Sequence, residues 1–375
     1  MEINQKVFKG ENSFGNAVTQ LRETSDIKNI IVFCSKSVAK YSGISKIIRE
    51  NFELSDIKYY SNIPNVTNLS DIKEFLNSHR SSNKIDLIIA VGGGSIIDFS
   101  KSVKAYLSVN HEKTLFENDF FKKKLINIPT IAVPTTAGSG SDATEFSVLY
   151  NRGLKYSINH KGLRPTFVAL EGKMLRTLPP RNRIISGLDL IAQCIEGSWS
   201  KQSGSHERIL AKKTLSRVAA VMERYISGSN EASILQEMIE CAHDAGLIIN
   251  KGKTTAAHAW SYGFTLRYEI PHGQAVWLTL PRIIQLNLQK AHAQKNYTLS
   301  QHIEDLCDIL SISTDENLVH NIFSKVKNLG LDVDISKYKF QKADLLNIMK
   351  EPNLERMKNN PFVFSNFEEK YIFQL

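Results

Sequence analysis

Short, continuously apolar runs alternate with amphipathic stretches through the first half of the chain: KNIIVFCS, then SVAKYSGISKIIREN and SDIKEFLNSHR, then KIDLIIAVGGG, IIDFSKSVKAYLS and LINIPTIAVPTT. Apolar runs without polar alternation read as strands buried on both faces, the condition of a parallel sheet covered by helices. The pattern therefore predicts an α/β, Rossmann-like N-terminal domain with a parallel sheet. Beyond Leu178-Pro179-Pro180 the character changes, and from Arg181 to about Lys350 apolar residues recur at helical spacing. This predicts an all-α C-terminal domain. The Pro-Pro pair sets the expected boundary, since proline disfavours helical geometry in the residue before it. Residues 1–178 form the expected dinucleotide-binding domain and 179–375 the helical domain.

Composition adds little to this picture: 375 residues, 42% hydrophobic and 23% charged, are ordinary globular usage. The opening MEINQKVFKG lacks a secretory leader pattern, and no run approaches the roughly 18 apolar residues of a membrane span. A cytoplasmic protein with no membrane partner is expected. Cys34, Cys194, Cys241 and Cys307 have no paired spacing, so neither a zinc ribbon nor a disulfide framework is expected, and the thiols should be reduced and mostly buried. The net charge of +9 is spread among interleaved acidic residues rather than gathered in a basic stripe. That speaks against a nucleic-acid partner, while a positive surplus also steers a phosphorylated cofactor or an anionic substrate.

Two loops carry the first candidate chemistry. In DLIIAVGGGSIIDFSK a buried-type strand ends in Gly92, Gly93 and Gly94, with a helix beginning near Ser95. Glycines let backbone amides approach a pyrophosphate, and the helix N-terminus supplies free N–H groups. The bland alternative is a tight turn with Ser95 as N-cap. Gly92 and Asp98, in the same motif, are further candidate cofactor contacts. After the next apolar strand, IAVPTTAGSGSDATEFSVLY places Thr135, Thr136, Ser139 and Ser141 around Gly138 and Gly140, a hydroxyl-rich loop suited to phosphate, ribose or nicotinamide. Two such loops on one sheet are harder to ascribe to turn chemistry than either alone.

In the helical half, SGLDLIAQCIEGSWS sets Asp189 and Gln193 one helical turn apart, and KTTAAHAWSYGFTLRYEIPHGQAVWLTLP supplies His258 and His272. A carboxylate and two imidazoles can hold a divalent metal that polarises a carbonyl, although each residue is equally at home as a solvated acid or a satisfied core histidine.

In content and order these motifs resemble the iron-containing (group III) alcohol dehydrogenase family along nearly the whole chain. The resemblance implies a dehydroquinate synthase-like architecture, an NAD or NADP cofactor held by Gly93, Gly94, Ser95, Thr135, Thr136 and Lys155, and iron or zinc bound by Asp189, His258 and His272. It also implies a homodimer, with catalysis in a cleft between the halves. Two positions depart from the family: Gln193 replaces a customary histidine ligand, and Tyr262 stands where many relatives carry a proton-relaying histidine. Gln193 is kept as a fourth candidate ligand and Tyr262 as a catalytic candidate. The segment from Lys253 to Val276, with Trp199, looks most like the branch that includes phosphonoacetaldehyde reductases, and the same branch resembles enzymes acting on C8 of octulosonic acid sugars. Either implies a small anionic aldehyde or alcohol as substrate, for which Lys253, Arg267 and Arg282 are the candidate anion grips. Retention of the fold as a non-catalytic nucleotide- or metal-binding protein is the competing class. At the end of the first apolar strand, Ser35 and Lys36 occupy the turn where an acidic residue would favour NAD, so NADP should be tolerated and even preferred. The aromatics of NNPFVFSNFEEKYIFQL fit packing on the helical half or at a subunit interface.

Overall fold

The computed structural model describes residues 5–35, 38, 43–79, 84–109, 111–117, 119–152 and 154–375. Strands β1 (Lys6–Lys9), β2 (Asn29–Cys34), β3 (Asp56–Tyr60), β4 (Leu87–Gly92), β5 (Thr130–Pro134) and β8 (Phe167–Leu170) form one sheet in the order β1-β8-β5-β4-β2-β3. Every pairing in it is parallel. Strands β6 (Phe146–Asn151) and β7 (Leu154–Asn159) make a separate antiparallel pair. Among the described residues, the α-helices of this half include α1 (Ser13–Thr24), α2 (Ile44–Asn51), α3 (Leu69–Ser78) and α4 (Gly94–Leu107).

The central strands alternate between two cores, as the two-residue period requires. Ile30, Val32 and Cys34 of β2 join Leu87, Ile89 and Val91 of β4 beneath Phe14 and Val18 of α1 and Ile48 of α2. Their neighbours Ile31, Phe33 and Ile88 pack instead with Ile72 and Phe75 of α3 and Phe99 and Val103 of α4. The sheet is thus covered on both faces, as the unbroken apolar runs predict. Strands β1, β3 and β8 and the β6-β7 pair escape the sequence pattern. KVFK and DIKYY are edge strands with polar or half-buried positions, and FVAL is only 4 residues long, so their pairing comes from the sheet and not from their own periodicity.

Lys104 of α4 is buried, and desolvation pushes its ammonium down from the ordinary 10.5 to about 8. A folded pKa below the unfolded one means the fold carries a cost for the charged form. That cost is complete below pH 8 and disappears as pH rises past 10.5. Lys104→Met should therefore raise stability at pH 7 by about 1–3 kcal/mol, with the gain shrinking by pH 10, as read by denaturant unfolding at both pH values.

The second half is helical throughout: α5 (Pro180–Trp199), α6 (Ser205–Ile226), α7 (Ala232–Gly252), α8 (Ala256–Tyr268), α9 (His272–Trp277), α10 (Leu280–Ala293), α11 (Tyr297–Ile309), α12 (Leu318–Asn328), α13 (Lys342–Lys350), α14 (Leu354–Met357) and α15 (Asn366–Phe373). Pro180 occupies the first turn of α5, where its missing N–H costs nothing. Compact units comprise Met1–Thr136 with Gly140–Thr177, and Leu178–Leu375 with Ala137–Ser139. Within the helical unit, Gly138 lies so close to Ser186 that a Cβ would fall 2.9 Å from the serine Cβ. The C-terminal aromatics pack on α8: Phe364 stacks on Trp260, and Phe373 meets both Trp260 and Phe264. Cys34, Cys194, Cys241 and Cys307 are free and buried. Among the described residues, no helix is long and apolar enough to cross a membrane.

Candidate active site

At the carboxyl edge of the sheet the two loops stand side by side. Gly92 is paired in register with Pro134, the Thr135 N–H donates to the Gly92 carbonyl at 3.0 Å, and a Cβ on Gly93 would lie 3.2 Å from the Thr136 side chain. Helix α4 starts at Gly94 with Gly93 as N-cap, so Ser95 is not the cap; its hydroxyl donates to the Asn65 carbonyl at 3.0 Å. Ser35 follows β2, whose last residue Cys34 pairs with Val91 of β4. The chain leaves β2 for one side and β4 for the other, so these two ends form the switch point at which open α/β sheets bind ligands. Lys36 lies outside the described residues.

Asp98 and Ser141 are tied to each other, the serine hydroxyl donating to one carboxylate oxygen while the Val148 N–H donates to the other at 3.0 Å. Buried Lys101, pushed down to about 8 by desolvation, donates to the hydroxyls of Ser141 and Thr144 and to the Phe146 carbonyl. These three side chains brace the second loop from beneath. Lys155 lies on β7 opposite Tyr150, and Ser139 lies in the short stretch belonging to the helical unit.

In the helical unit Asp189, His258 and His272 converge, with one ligand atom from each within 4.8 Å of the others. Asp189 Oδ1 is 3.5 Å from His258 Nε2 and 4.0 Å from His272 Nε2. Gln193 donates its amide to Asp189 Oδ2 at 3.2 Å. Asp189 Oδ1, Gln193 Oε1 and His258 Nε2 are buried without a hydrogen-bond partner. Orphaned acceptors cost free energy in a protein interior, and several pointing at one spot are what a cation would satisfy. The donor set, one carboxylate, two imidazoles and an amide oxygen, fits iron or zinc.

Burial alone would raise the Asp189 pKa, but the neighbouring His258 and His272 imidazoles hold it below the usual carboxylate range. Burial likewise opposes charge on His258, and the Glu196 and Asp189 carboxylates more than reverse it. Glu196 is the residue that sequence reasoning missed. Fully buried on α5, it accepts from the Thr255 hydroxyl at 2.6 Å and the Ala257 N–H at 2.8 Å, and it binds His258 Nδ1 directly. It thereby caps the start of α8 from another helix and turns Nε2 of His258 toward Asp189. The signal was present in LDLIAQCIE, where Glu196 lies two helical turns beyond Asp189 on the same face.

A family model described as iron-containing alcohol dehydrogenase matches residues 4–171, and the C-terminal model of the same family matches residues 183–355. The chain belongs to the iron-containing alcohol dehydrogenase family. Its relatives include an alcohol dehydrogenase of Thermococcus barophilus, 24% identical over 88% of this chain and 85% of that one. The phosphonoacetaldehyde reductase of Streptomyces viridochromogenes is 27% identical over 54% of each chain. Among solved structures, the sulfoacetaldehyde reductase of Bifidobacterium kashiwanohense, in complex with NAD+, superposes with a TM-score of 0.83 at 21% identity, covering 99% of this chain and 96% of that one. This iron-containing alcohol dehydrogenase is an oxidoreductase that depends on NAD(P), and iron or zinc suits its ligand set.

The remaining candidates are placed unevenly. The Tyr262 ring lies parallel to that of His272, centroids 5.7 Å apart, and desolvation with nearby Glu196 and Asp189 raises its pKa against the opposing charge of Arg356. Lys253 ends α7 at φ +62°, a conformation strained for a residue with a Cβ, and donates to the Asn250 carbonyl. Arg267 pairs with Asp344 and Glu351. Arg282 is held between the rings of Phe323 and Tyr371.

Proposed function

We propose that this dehydrogenase interconverts a small anionic aldehyde and its alcohol, with reduction of phosphonoacetaldehyde to 2-hydroxyethylphosphonate as the type reaction. The observation that carries the catalytic part is the convergence of Asp189, His258 and His272 around orphaned buried acceptors. The likeness to a phosphonoacetaldehyde reductase supports the substrate class. In the balanced reaction, NAD(P)H gives hydride to the carbonyl carbon, a proton goes to the oxygen, and NAD(P)+ leaves.

Asp189, His258 and His272, with Gln193 as the fourth donor, are the residues that hold the metal. When bound, the ion supplies Lewis acidity toward a carbonyl oxygen. The chain's own work is positioning. Glu196 keeps the Nδ1 proton of His258 in place, so Nε2 remains a donor atom. Burial of Asp189, Gln193 and His258 excludes bulk water from their side of the site. Gly92–Ser95 and Thr135–Thr136 bind the dinucleotide phosphates and ribose, with Lys155 and Ser139 as further contacts. The Tyr262 hydroxyl beside His272 is the protein's proton-bearing group there. Ser35, being uncharged, admits the 2'-phosphate of NADP. Oxidation of the C8 alcohol of an octulosonic acid sugar is the alternative within the same site chemistry.

Purified protein stripped of metal and reconstituted separately with iron and zinc should oxidise NADPH or NADH with phosphonoacetaldehyde in preference to uncharged aldehydes of similar length. Metal-dependent turnover of neutral aldehydes alone would keep the oxidoreductase and end the phosphonate assignment.

A further inference from the structure

We infer that the helical unit carries a binding site for a small polyol phosphate, separate from the residues that hold the metal and independent of the phosphonate reading. A cavity of about 450 Å3, within the size range of small-molecule sites, is lined by Arg181 of α5, Gln274 of α9 and, from the stretch after α12, Gly330, Asp332, Lys337 and Tyr338. Every one of these residues belongs to the helical unit. Arg181 and Lys337 are exposed, and among the described residues neither is paired with a carboxylate, whereas Arg217 and Arg267 are. A guanidinium fork and an ammonium together suit the two negative charges and several oxygens of a phosphate monoester. Gly330, at φ +98°, presents bare backbone and leaves room for close approach.

The remaining wall offers acceptors. Gln274 is only 6% exposed, and its Nε2 donates to the Tyr338 hydroxyl at 2.8 Å and to the Asp332 carbonyl at 3.3 Å, while its Oε1 is buried with no hydrogen-bond partner. The Tyr338 hydroxyl donates to the same Asp332 carbonyl. Burial raises the Tyr338 pKa, and the Arg181 charge is near enough to oppose it, so cation and acceptor wall share one space. The Asp332 carboxylate takes the Asp334 N–H at 3.1 Å on one oxygen. An orphaned amide oxygen and a carboxylate call for donors, which ligand hydroxyls supply and a bare phosphate dianion does not. Gln274 stands two residues beyond His272, and side chains at that spacing leave a helix on opposite sides. His272 turns to Asp189 at 4.0 Å, so helix α9 itself separates the cavity from the metal ligands.

The test is calorimetric titration of the metal-reconstituted enzyme, saturated with NADPH so that the dinucleotide loops are filled. Glycerol 3-phosphate is the probe, since as an alcohol it does not react with NADPH, and inorganic phosphate is the comparison. Wild type should bind one equivalent of glycerol 3-phosphate, at least threefold tighter than inorganic phosphate. In the double variant Arg181→Gln/Lys337→Gln the Kd should rise at least fivefold while metal content stays at the wild-type level, because both side chains are exposed and lie outside the metal cluster. A smaller rise means that the phosphate sits elsewhere and overturns the inference. So does a wild-type enzyme that binds no glycerol 3-phosphate, and equal affinity for the two probes overturns the polyol class. Should the double variant fail to fold, the single variants decide at the same threshold. Loss of phosphonate selectivity in turnover would sink the substrate reading and leave this titration unchanged.

Discussion

Gly273→Ala is expected to cost the enzyme its metal and at least a hundredfold in turnover, although it adds a single methyl group. Gly273 follows His272 at the start of α9, and that short helix lies directly on α5. An alanine Cβ would fall well inside contact distance of the Ile185 carbonyl oxygen, 3.2 Å from its carbonyl carbon and 3.0 Å from Asp189 Cβ. Two of those atoms are backbone of a long helix and cannot rotate away. Helix α9 must move instead, and His272 moves with it relative to Asp189. Overpacking of this kind costs about 1–3 kcal/mol, and a misplacement on the order of 1 Å at a reacting centre costs about a hundredfold in rate. The matched control is Gly187→Ala on the same helix α5, where the new Cβ would meet the flexible end of Met222. Metal content after dialysis and turnover should separate the two variants. Equal behaviour would mean that the α5–α9 contact does not set the site.

Removing the Glu196 carboxylate should act on the metal through His258. Glu196→Gln keeps the shape and an acceptor for Thr255, but it loses the charge facing His258 Nδ1. Metal affinity should drop about 10–100-fold, the usual consequence of losing such a partner. Glu196→Ala leaves the Thr255 hydroxyl, the Ala257 N–H and His258 without their buried acceptor. Breaking a buried pair from one side costs about 3–5 kcal/mol. Competition against a chelator measures the first effect and urea unfolding of the metal-free protein the second. If Glu196→Gln lowers stability yet binds metal as tightly as wild type, the carboxylate is a helix cap and nothing more. Partial recovery in Glu196→Asp would show that charge, not volume, is what His258 needs.

The legible part of this protein was its local pattern. Unbroken apolar runs predicted β2, β4 and β5 because a strand covered on both faces has no solvent side to encode. The glycine and hydroxyl loops after two of those strands were readable as loops because tight strand-to-helix turns at a sheet edge demand particular residue types at fixed spacing. Asp189, Gln193, His258 and His272 were nameable one by one, since metal chemistry admits few side chains. Tertiary structure alone decided that three of them meet and that α9 rests on α5 through Gly273. It also decided the long-range ties: Glu196 reaches His258 across 62 residues, and Arg356 reaches Thr254 across 102. A glutamate within a helix and an arginine near the C-terminus look like solvated charges in one dimension. Only the packing of α5, α8 and α14 removes them from water, and that desolvation converts an ordinary charge into a directed one.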